Sequence, residues 1–231
     1  MAKPITDPRP IRGLTTALRI TLLINAGISL LAALANGLHG VLVTRLPADD
    51  YLRTLDPFPG SELADGLLIL SGLGFIPVGL VAGFLALKWI YRANVNAHAF
   101  ARGVETKPHW AIWWWFIPVA ALFKPYGTMS EIWRVAIEPD RWKAIKEPII
   151  LRWWWGAHLF AGLFGVVASM MDRSTSTAGH VLITDFTASA GMLVQVVSTL
   201  LYVRIVDRIS HGQTQLIEQG RRRSRDTGLP A

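Results

Sequence analysis

The sequence predicts an all-α fold: a polytopic membrane helical bundle of four transmembrane helices, with a tryptophan-rich segment that re-enters the membrane or lies along its surface. Three observations predict it. Of the 231 residues, 52% are hydrophobic and only 17% are charged, and the mean hydropathy is +0.36, too apolar for an ordinary water-soluble domain. The charges gather between long apolar stretches rather than striping them. Finally, all ten tryptophans lie between Trp89 and Trp155, six of them in the runs Trp113–Trp115 and Trp153–Trp155. Tryptophan joins a large apolar body to one N–H donor, which favours the boundary between lipid and water.

Residues 1–19 form a polar, proline-rich N-terminal segment. They precede an apolar stretch longer than the core of a signal peptide and without a convincing cleavage site. Four stretches approach the roughly 20 apolar residues a bilayer crossing needs. They run over about 20–43, 66–87, 149–171 (with Arg152 near its start) and 182–206 (with Asp185 near one end and Gln195 further in). Small residues recur at four-residue spacing, as Ser29, Ala33 and Gly37 in the first, Gly79 and Gly83 in the second, and Ala157, Ala161 and Gly165 in the third. Such faces let helix backbones approach closely in lipid. The Gly72–Gly74 stretch reads as close packing too, and Pro77 predicts a kink. Residues 20–209 read as a single transmembrane domain. Beyond it, 210–231 is a basic tail whose Arg221-Arg222-Arg223-Ser224-Arg225 run suits an irregular anchor on anionic headgroups or a plain topology signal.

A fifth segment, Trp110–Phe123, is ambiguous. Its fourteen residues would extend about 21 Å as a helix, short of a hydrocarbon core of about 30 Å. Pro118 interrupts it, and Lys124-Pro125 stops it. Charge resolves the ambiguity. If the segment does not cross, lysine and arginine divide 20 to 3 between the two sides; if it crosses, they divide 9 to 14. Positive residues concentrate on the cytoplasmic side, so the first arrangement is strongly preferred. Both termini are then cytoplasmic, the protein sits in a cell membrane, and 110–137 is a re-entrant or interfacial element on the cytoplasmic side. The opposite loop, 44–65, carries Asp49, Asp50, Asp56, Glu62 and Asp65 with three prolines and reads as irregular; that at 172–181 is short and Ser/Thr-rich.

The formal net charge of +7 would suggest nucleic acid in a soluble protein; here basic cytoplasmic loops account for it, and no nucleic-acid partner is expected. The chain has no cysteine, which excludes disulfides, iron–sulfur ligation and thiolate zinc sites. No HExxH, GxSxG, P-loop or GxGxxG context occurs, so nothing argues for an enzyme; no catalytic residue, cofactor or metal site is expected.

Ionisable residues inside spans are the usual pointers to function. His158 sits near the middle of the third span, with His39 and Asp185 towards the outer ends of the first and fourth. His39 and His158 differ in depth and no second histidine pair exists, which argues against haem. A lone intramembrane histidine more often bonds a neighbouring helix, here through Asn25, Asn36 or Gln195. Asp185 with His180 would make an outer proton or cation site. Arg19, Arg152 and Arg204 lie near inner ends and can snorkel.

Between the second and third spans runs Lys88-Trp89-Ile90-Tyr91-Arg92-Ala93-Asn94-Val95-Asn96, then Lys107-Pro108-His109-Trp110-Ala111-Ile112-Trp113-Trp114-Trp115-Phe116-Ile117-Pro118. Leu122-Phe123-Lys124-Pro125-Tyr126 and Met129-Ser130-Glu131-Ile132-Trp133-Arg134 follow. This ordered set, with the tryptophans at Trp153–Trp155 opening the next span, resembles a bacterial membrane family catalogued as domain of unknown function 4328, over about residues 66–206. Where members commonly carry an asparagine, this chain has Ala121. The resemblance implies a membrane architecture and no particular reaction.

Read from the residues, the block is a wedge, either an aromatic belt that anchors a membrane-surface hairpin or a binding groove for a lipid, quinone or hydrophobic peptide. On a helix Trp110, Trp113 and Trp114 share one face, which Ile117 continues. Thr128–Ile137 is amphipathic and suits the membrane interface, with Glu131 and Arg134 spaced to pair. The candidate binding residues for lipid or a partner are Arg92, Trp110, Trp113, Trp114, Pro118, Lys124, Tyr126, Glu131, Trp133, Arg134, Trp153 and Trp154; His158 and Asp185 are the intramembrane polar candidates. The expected function is that of a non-catalytic membrane module whose tryptophan-rich cytoplasmic face binds lipid, anionic at that surface, or a membrane-protein partner. A small oligomeric transporter or channel, with the re-entrant segment, His158 and Asp185 lining its path, is the alternative.

Overall fold

In a computed structural model, residues 8–45, 60–172 and 177–227 are described. The fold is all-α, with no strand among these residues. Helix α1 spans Arg12–Val43 and α2 spans Glu62–Phe100; α3 is a short helix, Trp110–Trp113, followed by turns and a 3₁₀ turn at Ala120–Leu122. Helix α4 spans Lys124–Ile137, a second 3₁₀ stretch covers Pro139–Ala144, and α5 (Ile149–Asp172) and α6 (Ala178–Thr227) complete the chain. Helices α1, α2, α5 and α6 are each long and apolar enough to cross a membrane. They contain the four spans read from the sequence, and Pro77 lies within an uninterrupted α2.

The helices outrun the apolar stretches. Helix α2 has 39 residues and α6 has 50, about 58 Å and 75 Å at 1.5 Å per residue, against a hydrocarbon core of about 30 Å. Residues 88–100, polar enough to read as a loop, continue α2; the basic tail, expected to be irregular, is helical through Thr227. Neither continuation meets an internal proline, so the end of apolarity is not the end of the helix. Asp49, Asp50 and Asp56 of the acidic loop, its prolines, and Arg173 lie outside the described residues.

The chain forms two compact units. The described residues of the first are 8–21, 82–153 and 201–227; those of the second are 22–45, 60–81, 154–172 and 177–200.

The second unit packs through small residues, as the sequence predicts for α1. Ser29 and Ala33 are buried, the Ser189 hydroxyl donates to the Ala33 carbonyl at 2.8 Å, and a Cβ on Gly37 would meet that hydroxyl at 3.6 Å. In α2 the close approach is at Gly74, where a Cβ would lie 3.1 Å from Ile28, rather than at Gly79 or Gly83. In α5 Gly165 itself is open. The tight contact there belongs to Gly191 of α6, where a Cβ would fall 2.8 Å from that of Phe164.

The first unit has a polar as well as an apolar core. Trp89 is fully buried, and its indole N–H is shared between the hydroxyls of Thr15 (3.0 Å) and Ser210 (3.2 Å), themselves 2.6 Å apart. One turn on, buried Gln213 donates to the Ala93 carbonyl (2.8 Å) and accepts from Asn96 (3.0 Å), while Asn96 exchanges two hydrogen bonds with the Arg9 backbone. Each of these two amides thus both donates and accepts. The apolar side joins Ala97, Ala101, Val104, Val135 and Trp142, with Phe100 packed on it. Gly103, at φ +74°, turns the chain out of α2, a conformation that glycine adopts without strain.

Candidate functional site

Helix α4 is the platform of the tryptophan-rich region. Pro125 sits in its first turn, where a missing N–H costs nothing, and Met129, Ile132, Val135 and Ala136 recur at helical spacing and are buried. The amphipathic pattern expected to lie on the membrane surface is therefore spent on protein. Trp133 is half-buried beside that face.

The expected pair between Glu131 and Arg134 does not form. Glu131 turns the other way and accepts the Thr106 backbone N–H at 3.1 Å. Arg134 donates to the Ser130 carbonyl, approaches Glu147 at 3.8 Å and lies over the Trp142 ring. The two side chains leave α4 towards different loops, each with its own partner, so the i, i+3 spacing is not used.

Glu147, which the sequence did not single out, ties α4 to the segment leading into α5. Its carboxylate accepts from the Tyr126 hydroxyl and from the Ser130 hydroxyl, each at 2.7 Å. These two bonds, with the positive charges of Arg134 and Arg152, hold the Glu147 carboxyl below its ordinary range. Burial, then the bond to Glu147, push the Tyr126 phenol up. The network makes Tyr126 and Arg134 structural clamps rather than open binding groups.

Above this platform stands the tryptophan hairpin. Only Trp110–Trp113 are helical, so the face expected to run on to Ile117 stops after one turn. Turns occupy 114–119 because Pro118 offers no N–H to continue a helix. Part of the backbone is still bonded locally, from Trp114 N to Trp110 O, Phe116 N to Trp113 O and Ala121 N to Ile117 O. The predicted neighbours Trp110 and Trp114 do stack, with centroids 4.5 Å apart, and Lys124 lies over the Trp114 ring. Trp113 stands edge-on to Phe116 at 6.1 Å. The outer side of the hairpin is apolar and open: Trp113 is 58% exposed and Phe123 68%, with Phe116, Ile117, Val119 and Leu122 also exposed. An unbroken surface of that kind marks contact with a membrane or a partner.

Beside the hairpin is a groove of about 460 Å³ formed by the 105–107 loop, Trp110, Trp114 and the first two turns of α4. Glu105, Lys107, Lys124 and Glu131 bring four charges to it. Of the remaining candidates, Arg92 donates to the Pro10 carbonyl at 3.3 Å, and Pro118 and Trp153 are exposed. Trp154 belongs to the second unit and is buried, with its ring near those of Trp155 and His158. It is therefore not part of the open face.

In the second unit Asp185 pairs with His39, Oδ2 to Nδ1 at 2.7 Å, rather than with His180. The other ring nitrogen of His39 is 3.8 Å from Asp65. Helical periodicity within one element could not reveal this cluster, since its members come from α1, α2 and α6. His158 packs against Trp154 and Trp155 of its own helix, with centroids 6.3 and 5.4 Å away. Among the described residues no group of acidic and histidine side chains has the arrangement to hold a metal ion.

No curated protein and no solved structure matches this chain. A family model does. Domain of unknown function DUF4328 matches residues 58–211, about two-thirds of the chain, taking in the tryptophan hairpin, α4 and the Glu147 clamp, and the chain belongs to that family.

Proposed function

We propose that this chain is a non-catalytic, multi-pass module of a bacterial inner membrane, with both termini cytoplasmic, whose tryptophan hairpin docks lipid at the cytoplasmic surface. The observation that carries the reading is the hairpin's open apolar side, from Trp113 through Phe123. Such a segment suits the headgroup region, where water still reaches the backbone of the turns around Pro118. Lys107 and Lys124 at its base suit a phosphate-bearing surface. The 20-to-3 division of lysine and arginine supports the orientation.

The test is Trp113→Ser combined with Phe123→Ser, at two exposed positions. The variant should insert and run as a single species on size exclusion, and should retain several-fold less co-purifying lipid. Unchanged lipid content would remove the reading. If lipid is unchanged but a co-purifying membrane protein is lost, the hairpin is a protein-docking element instead.

A second reading, transport by an oligomer, has one observation in its favour: the protonatable cluster of His39, Asp65 and Asp185 at the ends of three helices. It requires liposome flux that depends on His39, and flux indifferent to His39→Ala counts against it.

A further inference from the structure

Glu131 poses an unusual electrostatic problem. The residue is only 8% exposed, it lines the groove beside the hairpin, and its carboxylate accepts the Thr106 backbone N–H. Among the described residues no arginine, lysine or histidine forms an ion pair with it. A buried carboxylate is expensive unless a positive group and further donors compensate it. The backbone donor supplies part of that compensation, and the groove leaves room for the rest.

The other groove groups indicate what would supply it. Lys107 and Lys124 are cationic, Glu105 and Glu131 anionic, so the lining charges sum to zero with both signs present. Such a groove is poorly matched to a simple anion and well matched to a zwitterion. Trp110 stacks on Trp114 at 4.5 Å, and Lys124 lies over the Trp114 ring, so Trp110 is the ring that remains for a ligand ammonium. Phe123 lines the same groove and continues into the hairpin's exposed apolar side, where acyl chains would lie.

We infer that this groove is a headgroup site for an aminophospholipid of the phosphatidylethanolamine class: the phosphodiester sits between Lys107 and Lys124, and the primary ammonium pairs with Glu131 beside Trp110. The inference rests on the lipid-docking reading above and adds its ligand. A primary ammonium has three N–H donors, so it can bond a carboxylate that already holds one donor; a choline headgroup has none. Phosphatidylglycerol offers the phosphate without the cation and leaves Glu131 uncompensated.

Native mass spectrometry of the full chain in detergent, titrated with phosphatidylethanolamine, phosphatidylglycerol or phosphatidylcholine of identical acyl chains, tests this. The unmodified protein should retain phosphatidylethanolamine at several-fold higher occupancy than either other lipid. Glu131→Gln, which keeps an acceptor for the Thr106 N–H, should bring that ratio close to one. Lys107→Gln with Lys124→Gln should weaken all three lipids together. Equal occupancy of the three lipids on the unmodified protein, or a ratio unmoved by Glu131→Gln, overturns the inference. Should Glu131→Gln fail to fold, N-acetylated phosphatidylethanolamine on the unmodified protein takes its place. That lipid keeps the phosphate and loses the cation, so it should bind several-fold more weakly than its parent, and equal binding overturns the assignment. If selectivity is absent while Trp113→Ser with Phe123→Ser still strips lipid, the headgroup assignment falls and the docking function stands.

Discussion

At the scale of single residues, the first unit is held by contacts whose cost of removal can be ordered. Gly212 of α6 is the tightest. A Cβ there would collide with the backbone carbonyl of Ala136 at the end of α4, and backbone cannot swing aside as a side chain can. Gly212→Ala is therefore expected to destabilise by about 1–3 kcal/mol, the usual cost of forced overpacking, seen as a lower melting temperature in detergent. Gly220, eight positions on in the same helix, has nothing within 4 Å of its would-be Cβ. There the same change should be neutral or stabilising by up to about 1 kcal/mol through helix propensity alone. Equal responses at the two sites would show that α6 does not pack on α4. Trp89 makes a complementary case. Trp89→Phe keeps most of the ring volume and deletes the N–H, but Thr15 and Ser210 still bond each other. No donor is orphaned, so the loss should be about 1 kcal/mol. Trp89→Ala opens a cavity and should cost about 3–5 kcal/mol. Comparison of the two melting temperatures separates hydrogen bonding from volume.

At the scale of elements, α4 and its Glu147 clamp predict a pH dependence whose sign follows from the charge network. Glu147 titrates lower in the folded protein than its ordinary value of 4.5, because two hydroxyls and two arginines favour the carboxylate. Its stabilisation is therefore complete above that ordinary value. It is lost as pH falls through the depressed folded value, where both states become protonated. Melting temperature measured from pH 7 down to pH 3 should fall through this window, and Glu147→Gln should start lower and show a shallower fall; an equally steep fall in the variant would assign the dependence to other carboxylates. How far each element was legible has a physical reason. The four apolar helices announce themselves by length and composition, and the stack of Trp110 on Trp114 by four-residue spacing. Periodicity also finds the apolar stripe of α4, but cannot tell whether lipid or protein covers it. The choices made by Glu131 and Arg134 depend on Thr106 and Glu147, brought close by loops, and no spacing within α4 encodes them. The helical continuation of α2 was hidden because its polar residues, Asn96 among them, face partners far away in sequence. The same residues in a solvated loop would look no different.

At the scale of the whole molecule, the count of crossings decides where every functional group faces. Four helices are long and apolar enough to cross, while Trp110–Phe123 is divided into a four-residue helix, turns and a 3₁₀ turn. An element so broken, with exposed apolar side chains, cannot carry its backbone through about 30 Å of hydrocarbon without protein or water around it. Four crossings place the two termini on one side; five place them on opposite sides. The charge distribution supports the orientation proposed above, since with four crossings 20 of the 23 lysines and arginines share the side of the termini, and with five the bias is weak and reversed. Reporter fusions that fluoresce only in the cytoplasm should therefore be bright at both Met1 and Ala231, and an alkaline phosphatase fusion at either end should be inactive. A bright N-terminus with an active phosphatase at the C-terminus would require the hairpin to cross. Lys107 would then lie on one side of the membrane and Lys124, Glu131 and the Glu147 clamp on the other, which the 3.1 Å hydrogen bond from the Thr106 backbone N–H to Glu131 makes geometrically untenable. A substituted-cysteine scan gives the finer check, because the chain has no native cysteine. Cysteines at Lys107, Arg141 and Glu218 should all be blocked from a membrane-impermeant maleimide in intact cells and labelled after permeabilisation.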